Sequence, residues 1–358
     1  MRVLYITRKH PPIVGGMERY SADLIATSIA EESSAMILNR SQLHLLWWLP
    51  LTWLRMCWLC IFRKPDVVHT TDAVMAVALY PLSRLCRFPL VTTVHALDVV
   101  WRRRLYQLAL RRVLPRLAHI ISVSKPTVAF LLARGVAHDR VSVIPNGIMP
   151  PAQQDSISAR KSMSVRYGIP EKAFLLLSVG RLIERKNMSW FIRDVMPLLP
   201  ERVYVLIAGA GPEEETILRA IRERGISRRV FLAGEISDEE RDIAYTGADL
   251  FVMPNKTVMG DAEGFGIVAI EAASRGLPVL TTGIEGIAEA IIDGQNGVYF
   301  PEQDAPAAAR AIQQFLDDPQ ALKDLSRSAA AFTIEHFSWE RLAEKYYKVY
   351  KQVLASRA

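Results

Sequence analysis

Three short segments combine residue types that can hold an anionic or hydroxyl-bearing ligand. The first is Glu263-Gly264-Phe265-Gly266-Ile267-Val268-Ala269-Ile270-Glu271, two carboxylates with seven residues between them. Glycines ahead of an apolar helical run leave the helix's first N–H groups open to an anion. Glu271, on the first turns, can accept both hydroxyls of a ribose, as acidic residues do at other nucleotide sites. Glu263 stands in the preceding loop, within reach of sugar hydroxyls. The plainer alternative is a helix with two unrelated surface carboxylates. The second segment is Val179-Gly180-Arg181-Leu182-Ile183-Glu184-Arg185-Lys186-Asn187, between a strand-like and a helical run. Arg181 and Lys186 at a strand's carboxyl end suit a diphosphate and would neutralise charge on a departing nucleoside diphosphate; a solvated basic loop is the alternative. The third is His10-Pro11-Pro12-Ile13-Val14-Gly15-Gly16-Met17-Glu18, where Gly15 and Gly16 let backbone N–H groups approach an anion ahead of a helix, or simply make a turn. His95 closes a further strand-like run, a place where a histidine can serve chemistry as well as structure.

Two other patterns point away from familiar cofactors. Gly209-x-Gly211 follows a strand, but Glu214 stands where a dinucleotide fingerprint needs its third glycine, so NAD is not expected. There is no Asp-x-Asp metal signature, and Arg181 with Lys186 can supply the charge of a divalent ion. Neither a metal nor a cofactor is expected.

Positioning these loops requires strands alternating with helices. In the first half, strand-like runs at Val3–Thr7, Asp66–Thr70, Leu90–His95, His119–Val123 and Val141–Ile144 are separated by helical patterns at roughly Met17–Ala30, Ala73–Cys86, Trp101–Leu117 and Pro126–Arg134. That alternation predicts a parallel sheet covered on both faces. Pro145, Asn146, Gly147, Pro150 and Pro151 break it, and the polar stretch to about Ser164 reads as an interdomain linker. The alternation then resumes, with strands at Phe174–Val179, Val203–Ala208, Val230–Ala233, Leu250–Met253 and Pro278–Thr281. Helices are expected at Met188–Leu199, Glu213–Glu223, Asp238–Ala244, Ile267–Ser274 and Gly286–Ile292, and a long amphipathic helix, Trp339–Leu354, capped by Ser338, closes the chain. The reading is α/β: two Rossmann-like, doubly wound domains, 1–150 and 165–337, with helix 338–358 packing back toward the first. Ligands of such sheets bind beyond the carboxyl ends of the strands, so two facing domains would leave a cleft between them.

Charge separates the halves. Residues 1–150 carry 19 Lys/Arg against 8 Asp/Glu, and the remainder 25 against 29, so only the first half is suited to an anionic partner. Residues 43–62 hold four tryptophans in an apolar run long enough to span a bilayer. The segments on either side belong to one domain, and Pro50 and Arg55 weaken a buried span. Flanked by Arg63 and Lys64, the run reads as an interfacial helix, as a core helix, or as both with one face inward. The basic stretch from Trp101 through Arg116 would be drawn to an anionic membrane surface. No nucleic-acid-binding module is recognisable. Cys57, Cys60 and Cys86 read as free thiols, and without a secretory signal the expectation is a cytoplasmic protein, peripheral on the inner face of the cytoplasmic membrane.

Taken together, the Glu263/Glu271 spacing around Phe-Gly-Ile-Val resembles the motif of retaining glycosyltransferases of family 4, which have the GT-B fold. Arg181 and Lys186 look like that family's diphosphate pair, and Gly15-Gly16 like its first-domain glycine loop. Ile144-Pro145-Asn146-Gly147, Ala208-Gly209-Ala210-Gly211-Pro212, Gly276-Leu277-Pro278-Val279 and Phe337-Ser338-Trp339 also fit, so the resemblance covers nearly the whole chain. It implies that Glu271 holds the ribose, Glu263 the donor hexose, Gly16 the β-phosphate, and the N–H groups of Gly266, Ile267 and Val268 the phosphates and sugar. Phe265 belongs to the same substrate-binding segment, and His95 matches the family histidine beside the reaction centre. The implied activity moves a hexose from UDP- or GDP-sugar, with retention, to a lipid-linked or glycan acceptor in cell-envelope polysaccharide or glycolipid synthesis. In the family's favoured picture the departing phosphate takes the acceptor proton in a front-face displacement. A nucleotide-sugar epimerase of the same fold, or a catalytically dead membrane-binding module, are the alternatives.

Overall fold

The computed structural model describes residues 1–13, 15–38, 44–100, 103–151 and 154–357. The chain divides into two compact units. Unit 1 comprises Met1–Met149, Ala262–Phe265 and Phe337–Ala358; unit 2 comprises Pro150–Asp261 and Gly266–His336.

Unit 1 is built on the strands β1 (Arg2–Thr7), β2 (Glu32–Ile37), β3 (Val67–Thr70), β4 (Leu90–Val94), β5 (His119–Ser122) and β6 (Val141–Val143). They form a parallel sheet in the order β2-β1-β3-β4-β5-β6. Strands β3, β4 and β5 are buried along their whole length, as strands covered on both faces must be; their Val, Leu and Ile residues betray them, although His69, Thr70, Thr92, Thr93, His119 and Ser122 are buried among them. β2 has no such signal. Its Glu32-Ser33-Ser34 half is exposed at the sheet edge, where apolar alternation is not required.

The Leu45–Phe62 helix joins β2 to β3, two strands of one sheet. Thr52 and Met56 are buried, and Trp48, Leu49, Trp53 and Leu59 pack against the core of Leu4, Val68, Leu79 and Leu90. Its other side leaves Leu46, Trp47, Leu51, Leu54, Trp58, Ile61 and Phe62 exposed, Trp47 at 79%. These recur every three to four residues and form one helical face. So one side of the helix is core and the other is an uncovered apolar stripe. Cys57, Cys60 and Cys86 are free and half-buried here. Burial, then the adjacent Cys86, pushes the Cys60 thiol up to about 12, which leaves it protonated. The basic helix is shorter than its pattern: it covers Arg104–Val113, and Pro115 falls in a 3-10 turn, Leu114–Arg116. Trp101 and Arg102 lie outside the described residues.

The closing helix, Trp339–Ala355, belongs to unit 1. Ser338 occupies its N-cap, but the hydroxyl makes no capping hydrogen bond; the Trp339 N–H instead donates to the Ile148 carbonyl at 3.1 Å. Trp339 lies flat enough on Gly147 that a Cβ there would fall 2.6 Å from the indole. Deeper in, Tyr346 Oη meets Tyr20 Oη at 2.9 Å. Tyr350 Oη meets His69 Nδ1 at 2.5 Å, and His69 Nε2 meets Thr93 Oγ1 at 2.9 Å. Full burial lowers the His69 imidazole to about 3.

Unit 2 contains β7 (Phe174–Val179), β8 (Val203–Ala208), β9 (Val230–Gly234), β10 (Leu250–Met253), β11 (Val279–Thr281) and β12 (Gly297–Tyr299). Their order is β12-β11-β10-β7-β8-β9, all parallel. The chain winds outward from β7 through β8 and β9, then restarts at β10 on β7's other side. β7 and β10 therefore flank the switch point, where doubly wound sheets take their ligands.

Two stretches of unit 2 differ from the sequence pattern. Much of the polar "linker" is helix Ser156–Tyr167, capped by the Asp155 carboxylate on the N–H groups of Ile157 and Ser158 and closed by left-handed Gly168. Its buried Ala159 and Met163 pack on helix Asp238–Gly247. Two buried residues in twelve, with Ile157 and Val165 left exposed, are too sparse a stripe to show in sequence. The expected Met188–Leu199 helix instead runs from α (Met188–Trp190) through a π-helical turn (Phe191–Val195) to a 3-10 turn (Met196–Leu198) containing Pro197.

Candidate functional site

The residues singled out by sequence fall in two groups, one in each unit. In unit 2, Arg181 and Lys186 lie on the loop after β7, and Gly266 caps the Ile267–Ser274 helix that follows β10. Both groups thus stand at the carboxyl ends of the two strands flanking the switch point. Gly266 has φ +87°, a left-handed conformation open to glycine, and as the N-cap it brings no side-chain capping hydrogen bond to the helix start. Arg181 is exposed and Lys186 half-buried, its Cε 3.7 Å from where a Cβ on Gly180 would sit. Arg185 between them turns inward and pairs with Asp261, Nε to Oδ1 at 3.2 Å. Asn187 closes the turn at φ +56°, a conformation asparagine tolerates.

The rejected Gly209-x-Gly211 pattern has a packing role. The β8 loop lies backbone to backbone on the Arg181 loop: Gly180 N–H donates to Ala208 O and Leu182 N–H to Ala210 O, each at 2.9 Å. A Cβ on Gly209 would collide with the Gly180 carbonyl, and one on Gly211 with that of Leu182. Both glycines are consumed in holding the cationic loop.

Glu271 is buried one turn into its helix. Its Oε2 accepts from Tyr245 Oη at 3.0 Å and lies 3.7 Å from Arg241 Nε. Burial, then the Glu271 carboxylate, raises the Tyr245 phenol far above its usual value, so it stays a donor. Arg241 is itself nearly enclosed, and its Nη2 has no hydrogen-bond partner among the described residues. Sequence reasoning missed Tyr245 and Arg241: they come from the preceding helix, and no spacing ties them to Glu271.

In unit 1, Gly15 and Gly16 open the Gly16–Ala26 helix after β1 and are exposed. Glu18 folds back toward Gly15 and pairs with Lys9 at 2.9 Å. His95 follows β4, buried, with the Tyr20 ring edge-on at 4.9 Å. Burial lowers its imidazole to about 4, against opposing effects of Asp72 and the Thr71 backbone, so it is neutral at pH 7. Its Nε2 is buried without a partner among the described residues. A ring nitrogen so left is one of the few buried polar groups that ask for an explanation, and a ligand supplies one.

Behind His95 lies a carboxylate pair the sequence did not flag. Asp98 Oδ2 accepts from the His95 N–H at 3.2 Å; Asp72 Oδ1 accepts from Met75 N at 3.0 Å and Arg8 Nε at 3.2 Å. Burial, then the Asp72 charge, pushes Asp98 up to about 7. Asp72 lies two residues beyond β3, the strand beside β4, and caps the Ala73–Cys86 helix, so only sheet order brings it next to His95.

Glu263 is half-buried in the 262–265 segment of unit 1. A Cβ on Gly264 would lie 3.6 Å from the Ala96 nitrogen, so this loop abuts the turn that carries His95. The structure thus brings the Glu263 loop and His95 together, and it places Arg181 and Lys186 after β7 and the Gly266–Val268 helix start after β10, the strand paired with it. The Phe265 side chain faces inward, 2% exposed and edge-on to Phe337 at 5.6 Å. Its ring anchors the loop, and only its backbone is left for a ligand.

Comparison with known proteins bears on the family and the fold. The profile of Glycosyl transferases group 1 matches residues 159–332, and that of Glycosyltransferase Family 4 matches residues 34–150. A glycogen synthase of Mycobacterium tuberculosis is 30% identical over 304 residues, covering 80% of this chain and 69% of the relative. A GDP-mannose-dependent alpha-(1-6)-phosphatidylinositol monomannoside mannosyltransferase of Mycolicibacterium smegmatis is 30% identical over 56% of this chain and 54% of its own. Among solved structures, Anabaena HepE in complex with UDP superposes with a TM-score of 0.80 at 17% identity, covering 98% of this chain and 100% of that one. Two parallel six-stranded sheets with flanking helices, and a shared sequence running through both units, leave one conclusion: the chain belongs to the family 4-type glycosyltransferases of the GT-B fold.

Proposed function

We propose that this glycosyltransferase moves a hexose from a nucleoside diphosphate sugar to a lipid-linked or glycan acceptor, with retention of the anomeric configuration, at an anionic membrane surface. The observation that carries the reading is the pairing of Arg181 and Lys186 with the glycine-capped helix start at the switch point of the second sheet. Two cations and a helix amino end suit a pyrophosphate. They act most strongly when negative charge grows on the departing diphosphate, which is transition-state stabilisation. Glu271, held by Tyr245 and Arg241, is the ribose ligand in this scheme, and Gly16 approaches the β-phosphate. Solved relatives carry UDP or UDP-glucose, and one curated relative is named for GDP-mannose, so either base is compatible with the fold.

The hexose falls to His95 and Glu263. With its ring donating to the Thr71 backbone, neutral His95 offers Nε2 as an acceptor to a sugar hydroxyl. Glu263 accepts from others. A leaving phosphate oxygen takes the acceptor's proton as the new glycosidic bond forms on the face it vacates. The uncovered stripe from Leu46 to Phe62, with Arg55, Arg63 and Lys64 beside it, meets the membrane. Each cation near an anionic surface contributes about 1 kcal/mol.

The test incubates the protein with UDP- and GDP-hexoses, with and without polyprenyl-phosphate-linked and glycan acceptors. Nucleoside diphosphate release that requires acceptor, with an NMR-determined α-anomer from an α-donor, is expected. Epimerised donor in the absence of acceptor would replace transfer by epimerisation, and an inverted product would remove retention.

A further inference from the structure

The opposite end of the first sheet holds a feature this activity does not use. A cavity of about 430 Å³ opens where β4 and β5 begin. Its walls carry Arg84, Arg87, Arg116 and Arg357, and its floor is the buried Phe88, Leu90 and Leu117. No acidic residue lines it, and none of the four arginines is ion-paired among the described residues. It opens at Leu90, the first residue of β4, whereas His95 follows the last. The two sites are therefore one strand length apart, roughly 15 Å.

Cations at this end have an ordinary use, because helix carboxyl ends gather there. Arg84 lies in the last turn of the Ala73–Cys86 helix and Arg87 is its C-cap; Arg116 donates to the Arg112 carbonyl; Arg357 follows the Trp339–Ala355 helix. Three helix ends supply about half a negative charge each. Against four guanidiniums that leaves a surplus of about two and a half positive charges around a single cavity. Arg87 adds a second sign. It holds φ +54°, the left-handed conformation in which helices end on glycine, and a bulky side chain is uncommon there. The position keeps a guanidinium where backbone geometry favours no side chain at all.

We propose that this arginine-lined cavity binds a phosphate group, as the free anion or as the headgroup of an acidic phospholipid. Several guanidiniums over an apolar floor suit a doubly charged tetrahedral oxyanion, which accepts forked hydrogen bonds from more than one of them. The inference does not rest on the proposed transfer reaction.

The experiment compares wild type with Arg87→Gly, which keeps the left-handed turn, and with Arg116→Gln as a second variant. Inorganic phosphate is titrated calorimetrically at low ionic strength, and flotation is measured with phosphatidylcholine vesicles containing phosphatidic acid. Loss of phosphate affinity by tenfold or more in both variants, at unchanged Tm, is the expected result and identifies the free anion. An equal loss confined to the vesicles supports the site with a lipid headgroup as its source. If both variants keep wild-type phosphate and vesicle binding, the arginines serve the helix ends alone and the proposal is overturned; the transferase reading would stand.

Discussion

His69 offers a quantitative check on how the closing helix is tied to the first unit. It is fully buried between Tyr350 Oη and Thr93 Oγ1, with Tyr5 and Tyr346 as ring neighbours, and is lowered to about 3 from an ordinary 6.5. A histidine depressed in the folded state is protonated first in the unfolded chain. Its contribution is therefore complete above pH 6.5 and is lost as pH falls toward 3. Between pH 7 and pH 5 the unfolded state gains RT ln[(1 + 10^1.5)/(1 + 10^−0.5)], about 2 kcal/mol, while the folded state gains almost nothing. His95 shifts in the same direction and Asp98 in the opposite one, so the wild-type pH profile alone does not isolate His69. A His69→Gln variant does, because the other groups cancel in the difference. At pH 7 it should be less stable than wild type by about 1–3 kcal/mol, through impaired hydrogen bonds. By pH 5 that deficit should shrink by about 2 kcal/mol. Urea denaturation of both proteins at the two pH values, followed by tryptophan fluorescence, measures it. Equal deficits at pH 7 and pH 5 would refute the argument and place His69 in contact with water.

Other substitutions probe the remaining parts. Lys186→Ala should lower kcat by about 10²–10³-fold without changing the melting temperature, as loss of a preorganised charge partner does; unchanged turnover under single-turnover conditions would remove Lys186 from the chemistry. Gly147→Ala places a methyl 2.6 Å from the Trp339 ring and should cost about 1–3 kcal/mol in thermal stability; a neutral result would mean the indole does not cover that backbone. Gly209→Ala combines φ +135° with a collision on the Gly180 carbonyl, and should abolish UDP- or GDP-induced stabilisation by displacing the cationic loop; a preserved thermal shift would show that loop to be independent of its neighbour. Trp58→Ser with Leu54→Ser should abolish flotation with anionic vesicles yet leave turnover of a soluble acceptor intact, and retained flotation would move the membrane contact elsewhere.

Local chemistry made much of this protein legible in its sequence. Strands β8 and β10 are unbroken apolar or aromatic runs and β3, β4 and β7 are rich in Val and Leu, as strands covered on both faces are, and the glycines before Gly16–Ala26 and Ile267–Ser274 mark where helices start. Ordered motifs identified the family, and with it the residues to inspect. Elements stabilised by their surroundings stayed hidden: edge strand β2 is polar, and Ser156–Tyr167 is held by two buried residues and an Asp155 cap. Tertiary structure alone decided which groups meet. Asp72 reaches His95 because β3 and β4 are neighbours in the sheet, and Tyr245 reaches Glu271 because two helices pack side by side. It also turned Phe265 into an anchor, made Gly209 and Gly211 a contact between loops, and set four arginines around one cavity. Sequence carries conformational preference along a few residues, whereas burial, hydrogen-bond partnership and electrostatic field depend on residues brought together from hundreds of positions apart.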